Sequence, residues 1–208
     1  MWYMHYFDHH KDISAPEWSG ICCDVIKLLM KMPAQTDADA AVYGNQPLRN
    51  HVVGSNNTRI TPQRPQAVFY RDAFGEQFIH LNGDSEAELD GGVFVLGRTP
   101  KNPSEGACCN TKRKPYDLLV CAILIVANHH APESLDIRSQ GQAQDWIAAL
   151  DFVQKTAIAD AKLPPKVDPG AVGDLLVHAR RHRQRSRDPS SAILRDNTSD
   201  DVMPDLYF

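Results

Sequence analysis

Apolar positions along the chain form two kinds of pattern, short aromatic or β-branched runs and longer stretches stepped by three and four, and the two kinds alternate. Trp2, Tyr3, Met4, His5, Tyr6 and Phe7 combine aromatic content with β propensity and predict a first strand. A helix is expected over about residues 15–32. Ser14 is a good N-cap, Pro16 is tolerated in the first turn, and Glu17 completes a capping-box pattern with Ser14. Behind that start, Trp18, Ile21, Cys22, Val25, Leu28, Leu29 and Met32 recur at helical steps and form one apolar face, which Pro33 stops.

Residues 34–66 lose the pattern in Asp, Asn, Gln, Thr, Pro and Gly and read as a long polar insertion, with a hairpin as one form; at this length it is either an excursion with a function or contains an element that the pattern does not reveal. Order returns over residues 67–70 and again over 77–81, where Phe78, Ile79 and Leu81 lead into an expected turn at Asn82-Gly83-Asp84. Val93, Phe94 and Val95 mark the next strand, antiparallel to the one before it, and residues 100–106 form a loop. Leu118 to Ala127 is apolar on all sides, with Pro115 in the first turn and Asp117 complementing the positive end; this predicts a central buried helix. Leu135, Ile137 and Ser139 suggest a last strand. Residues 145–155, with Trp146, Ile147, Leu150, Phe152 and Val153, suggest a final amphipathic helix. The expected order is βαββαβα: an α+β domain with an antiparallel or mixed sheet of four or more strands packed on the central helix.

After Thr156 the character changes. Leu163-Pro164-Pro165 and Asp168-Pro169-Gly170 punctuate a linker, and Arg180, Arg181, Arg183, Arg185 and Arg187 precede Asp196, Asp200, Asp201 and Asp205. The reading is a domain over residues 1–160 whose core closes before Asp160, then a linker, basic helix and acidic tail over 161–208. Leu175, Leu176, Val177, Ile193, Leu194 and Leu206-Tyr207-Phe208 leave open that this tail docks back onto the domain or onto a second copy.

Composition narrows the function classes. The 208 residues are 42% apolar and 23% charged, the balance of a globular chain. A formal net charge of -4 argues against coating nucleic acid or an anionic membrane through bulk charge, so any such contact is local. The longest apolar run, residues 118–127, is half of the roughly 20 residues a membrane span needs. The aromatic start lacks the basic opening of a signal peptide. The five cysteines include the adjacent pairs Cys22-Cys23 and Cys108-Cys109 and no Cys-x-x-Cys spacing, which suits a reducing cytoplasm rather than a disulfide framework or zinc ribbon.

The most pointed local chemistry is Lys112-Arg113-Lys114 just ahead of a helix N-terminus, with Tyr116 and Asp117 behind it. Three cations beside free N–H groups suit a phosphate or an acidic partner. The plainer reading is a solvated loop in which Tyr116 and Asp117 dock and cap the central helix. Arg180, Arg181, Arg183, Arg185 and Arg187 form a second basic set that suits nucleic-acid phosphates, although it lacks aromatic residues for base stacking. Cys108 or Cys109 beside Lys112 and Arg113 is a setting in which cations lower a thiol's pKa. His178 and His182 share helical spacing without a His-Glu-x-x-His companion. No Gly-x-Ser-x-Gly elbow or evident Ser, His and Asp grouping occurs. No catalytic residue, metal ligand or cofactor is nominated, and an enzyme is the less favoured class.

Leu81-Asn82-Gly83, Gly92-Val93-Phe94-Val95, the block 109–117 running into 118–130, Ser139-Gln140-Gly141 and Asp145-Trp146 together carry a resemblance. They are similar to a family of small bacteriophage and prophage proteins of Gram-negative bacteria. That family has Phe-Asn-Gly, Glu-Thr-Phe, Cys-Lys-Thr-Ala-Arg-Lys-Pro-Tyr-Asp, Ser-Asp-Gly and a later Trp in this order. The likeness covers about residues 78–154, and Arg113-Lys114-Pro115-Tyr116-Asp117 is its most specific part. Leu81 stands in place of Phe, Gly92-Val93-Phe94 in place of Glu-Thr-Phe, and Gln140 in place of Asp, while residues 34–66 and 156–208 look like additions. The family has no known activity, so the resemblance implies a phage setting and not a mechanism. The expectation is a non-enzymatic phage accessory protein that binds a host protein in the bacterial host cytoplasm, interference with a defence system, anti-CRISPR action included, being one version. A nucleic-acid or phosphate binder and a virion or assembly component are the alternatives, and self-association stays open.

Overall fold

The computed structural model describes residues 2–32, 52–54, 57–100 and 107–167. Its elements are β1 (Met4–His9), α1 (Ala15–Met30), β2 (Val52–Val53), a 3-10 turn (Pro65–Val68), β3 (Phe69–Arg71), β4 (Gln77–Gly83), β5 (Phe94–Gly97), β6 (Cys108–Asn110), α2 (Asp117–His130), β7 (Leu135–Ser139) and α3 (Ala143–Thr156). The α+β class is as expected. The single sheet is replaced by two antiparallel ones. In the first, β1 runs between β6 and β7. In the second, β3 pairs with Gln77, Phe78 and Ile79 of β4 and β5 with Phe78, Ile79, His80 and Leu81, so the two flank it from opposite edges, and β2 pairs with its last two residues.

The start of α1 follows the capping-box pattern: Glu17 N–H donates to Ser14 Oγ at 3.4 Å, and Ser14 N–H donates to Glu17 Oε2 at 2.8 Å. Its apolar face buries Trp18, Ile21, Val25, Leu28 and Leu29. The helix ends at Met30, where Lys31 N–H bonds Leu28 O; Pro33 lies outside the described residues. All nine residues from Leu119 to Ala127 of α2 are buried, since this stretch packs on α1, α3 and β7 and only the ends of the helix reach solvent. One core joins the two sheets and three helices, with Phe7 of β1 against Phe94 of β5 at a ring separation of 5.1 Å.

Four expectations need correction. Asn82-Gly83 is not a turn but the end of β4, opposite Val53 and Val52. Asn82 Oδ1 accepts Gly83 N–H at 2.8 Å and Gly91 N–H at 3.2 Å. Gly83 is needed because a Cβ there would lie 1.9 Å from the Leu89 carbonyl oxygen, a close approach rather than a reversal. The reversal follows at residues 84–89, where Leu89 N–H bonds Asp84 O and Glu88 takes φ +56. Second, the polar insertion is shorter than read: Val52, Val53 and Ile60 are buried, so the fold resumes at β2, and residues 33–51 lie outside the described set. Third, β6 forms just after the loop read over residues 100–106, where no strand was expected; with three residues and only Cys109 buried, it offers no alternation to read. Fourth, packed chain continues past residue 160, because Ile158, Ala161, Leu163 and Val167 join the core beyond α3. The basic helix and acidic tail expected beyond residue 170 lie outside the described residues. No helix among the described residues is long and apolar enough to cross a membrane.

Candidate functional site

The central position of β1 builds the site. His5 lies opposite Cys109 of β6 on one side and Ser139 of β7 on the other. Strand alternation turns Tyr3, His5 and Phe7 inward together, and all three are buried. The N-terminal turn of α2 places Asp117, and one turn later Cys121, against the His5 ring.

His5 Nε2 lies 2.7 Å from Asp117 Oδ1, and His5 Nδ1 lies 3.1 Å from Ser139 Oγ. Thr111 Oγ1 donates to the same Asp117 oxygen at 2.5 Å, and Gly141 N–H donates to Ser139 Oγ at 2.9 Å. Cys121 Sγ stands 3.8 Å from His5 Nε2 and 4.0 Å from Asp117 Oδ2. The rings of Tyr3 and Trp146 stand nearly perpendicular to the imidazole with ring separations of 5.0 and 5.3 Å. Burial pushes the Cys121 thiol well above its ordinary pKa, with the Asp117 charge adding to the effect. Ser139, His5 and Asp117 thus stand in a line, but carboxylate and hydroxyl take the ring nitrogens opposite to those of the hydrolase triad. The ring is fully buried and Ser139 Oγ is anchored by a backbone N–H, so this chain of bonds holds three elements together.

Above this cluster runs the loop from β6 to α2. Lys112 and Arg113 take φ +55 and +58 in succession, a left-handed conformation that costs a non-glycine residue about 1–2 kcal/mol. The surroundings enforce it. Asn110 Oδ1 accepts the N–H of Lys112 at 3.2 Å and of Tyr3 at 3.1 Å, while Lys114 N–H closes back onto Thr111 O. Arg113 lays its guanidinium 3.9 Å above the Tyr3 ring and makes two bonds to Asp145 at 3.0 and 3.3 Å. That hydrogen-bonded pair holds the Asp145 carboxyl below its usual range and raises the Arg113 pKa. Lys114 Nζ bonds the Glu88 carbonyl.

Each residue of the loop predicted from sequence therefore has a place. Lys112 and Arg113 are exposed and Lys114 is half-buried. Tyr116 is not a surface group: it is fully buried, and its hydroxyl donates to Gly92 O at 2.8 Å, pinning the loop to the segment that leads into β5. Asp117 turns its carboxylate inward to His5 and Thr111, so the first turn of α2 already holds an anion where a phosphate was considered. Cys109 is the reverse of an activated thiol; burial pushes it to about 12, and it bonds Gly92 O at 3.2 Å. Arg180, Arg181, Arg183, Arg185 and Arg187 lie outside the described residues, as do His178 and His182. Sequence reasoning did not single out Tyr3, His5, Thr111, Cys121, Ser139 or Asp145 as site residues. The signal that could have found several of them was the shared pattern that already linked 109–117 with Ser139-Gln140-Gly141 and Asp145-Trp146.

Compared with known families, curated proteins and solved structures, the chain has no significant match in any of the three.

Proposed function

We propose that this chain is a phage-encoded, non-enzymatic accessory protein that binds a host protein in the bacterial cytoplasm, using the loop 110–117 as a rigid recognition surface. One observation carries the reading: Lys112 and Arg113 are held left-handed one after the other on a loop clamped from beneath by Asn110, Tyr116 and Asp117. Backbone strain persists only where the surroundings over-determine it, and it concentrates at functional surfaces. A pre-ordered loop loses little entropy on binding, which favours recognition by a fixed cationic shape. The partner surface is acidic, to match the exposed Lys112 ammonium and the outer face of Arg113. The phage setting rests on the resemblance of residues 78–154.

The test is capture from nuclease-treated host lysate by the immobilised chain, with Lys112→Glu as the control. A stoichiometric host protein retained by the parent and lost with Lys112→Glu supports the proposal. Retention by both, or by neither, contradicts it. Two alternatives separate in the same framework. A nucleic-acid binder loses its captured material to the nuclease and binds labelled strands with affinity that falls steeply with salt. A virion component is present in purified particles.

A further inference from the structure

We propose that His5 Nε2, the Asp117 carboxylate and Cys121 Sγ bind one divalent transition-metal ion of the zinc class. The three donors come from β1 and from consecutive turns of α2, and among the described residues they alone form a group of three His, Cys, Asp or Glu donors close enough to share an ion. Bond lengths of about 2.0–2.1 Å to nitrogen, 2.0–2.2 Å to oxygen and 2.3 Å to sulfur in a tetrahedral site require donor separations of about 3.3–3.6 Å. The separations here are 2.7 Å from His5 Nε2 to Asp117 Oδ1, 3.8 Å from His5 Nε2 to Cys121 Sγ and 4.0 Å from Cys121 Sγ to the other carboxylate oxygen, Oδ2, and one donor atom from each residue lies within 4.8 Å of the other two. The His5–Cys121 edge already lies within about half an ångström of the tetrahedral value, and the Asp117 carboxylate has to turn to present a single oxygen to an ion shared with both.

The outer contacts are those that orient metal ligands. With the ion on Nε2, the imidazole proton sits on Nδ1 and is donated to Ser139 Oγ, while Thr111 Oγ1 continues to hold Asp117. The Cys121 thiol releases one proton to solvent as the metal–sulfur bond forms. Thiolate, carboxylate and the 2+ ion then sum to zero charge, which suits a buried place; an isolated thiolate there would be costly. Sulfur with imidazole selects zinc or cobalt(II) over magnesium or calcium. Asp117, with 19% of its side chain exposed, is the solvent-facing ligand, so water completes the fourth position.

Cobalt(II) titration of the chelator-stripped, tag-free full chain under a non-thiol reductant tests the proposal. One equivalent is expected to produce a sulfur-to-cobalt charge-transfer band with strong tetrahedral d–d bands, and zinc is expected to bleach both. Cys121→Ser should abolish the charge-transfer band, and Ser139→Ala should weaken binding about tenfold. A variant replacing the exposed Cys23 and Cys108 should leave the band unchanged. Absence of a thiolate band in the parent chain overturns the proposal without reference to any variant, and leaves the cluster a hydrogen-bonded core network. A band that survives Cys121→Ser, or that disappears on replacing Cys23 and Cys108, overturns it equally.

Discussion

Replacing Asp117 by Ala removes the acceptor shared by His5 Nε2 at 2.7 Å and Thr111 Oγ1 at 2.5 Å. His5 and Thr111 are both fully buried, so neither donor can turn to water. An orphaned buried donor costs about 1–3 kcal/mol. The Thr111 hydroxyl can rotate towards another oxygen, which places its share at the low end, and the His5 ring is fixed by Ser139 and Trp146, which places its share higher. The sum is about 3 kcal/mol, against roughly 5–15 kcal/mol for a whole domain. Asp117→Asn keeps an oxygen at the same place and loses only the charge, so its cost is smaller, about 1 kcal/mol. Urea unfolding with a chelator present reads both as shifts in midpoint at constant slope. Equal losses for the two variants would refute the reasoning, since they would trace stability to the charge rather than to the stranded donors. An unchanged midpoint for Asp117→Ala would refute it more directly.

Lys112→Gly should leave the melting temperature unchanged or higher, because φ +55 is free of steric cost for glycine, while removing the side chain the proposed partner reads. Gly83→Ala should destabilise by about 1–3 kcal/mol in urea, because the clash is with the Leu89 backbone oxygen, which cannot rotate away. Leu124→Asp places an unpaired charge in a fully buried position of α2 and should yield insoluble or unfolded chain; a soluble variant with normal melting would contradict the core assignment. Acid should weaken the fold through Asp145, held low by Arg113, and through Asp24. Burial raises Asp24, but bonds from Lys27 and His130 outweigh it. Carboxyls depressed in the folded state contribute stability that is complete above their ordinary range and lost as pH falls through the folded values. The double variant Asp24→Asn/Asp145→Asn should therefore flatten the dependence of the urea midpoint on pH below about 4.

Local signals were read well where they act locally. The capping box at Ser14, the all-apolar stretch of α2 and the period of α3 each contain their own start, face or stop within a dozen residues. Asn82-Gly83 misled for a physical reason: the same pair that favours a tight turn also suits a side-chain bridge and a close backbone approach, and only Leu89, arriving from outside, decides between them. The loop 112–117 was legible as a cluster of cations with an anchor, but the inward roles of Tyr116 and Asp117 were not. The buried half of the site was missed because its bonds span the chain, His5 to Asp117 across 112 residues and His5 to Ser139 across 134. Such contacts exist only once β1 is threaded between β6 and β7, and no window of sequence contains that pairing.

The central claim, recognition through the pre-ordered loop, is most directly tested by photocrosslinking in the host. A photoreactive amino acid at position 112 is expected to crosslink the chain to one host protein. The same group in place of Phe74, which is also solvent-exposed and lies in the β3–β4 turn of the other sheet, is expected to give none. A host crosslink from position 74 with nothing from position 112 would contradict the claim.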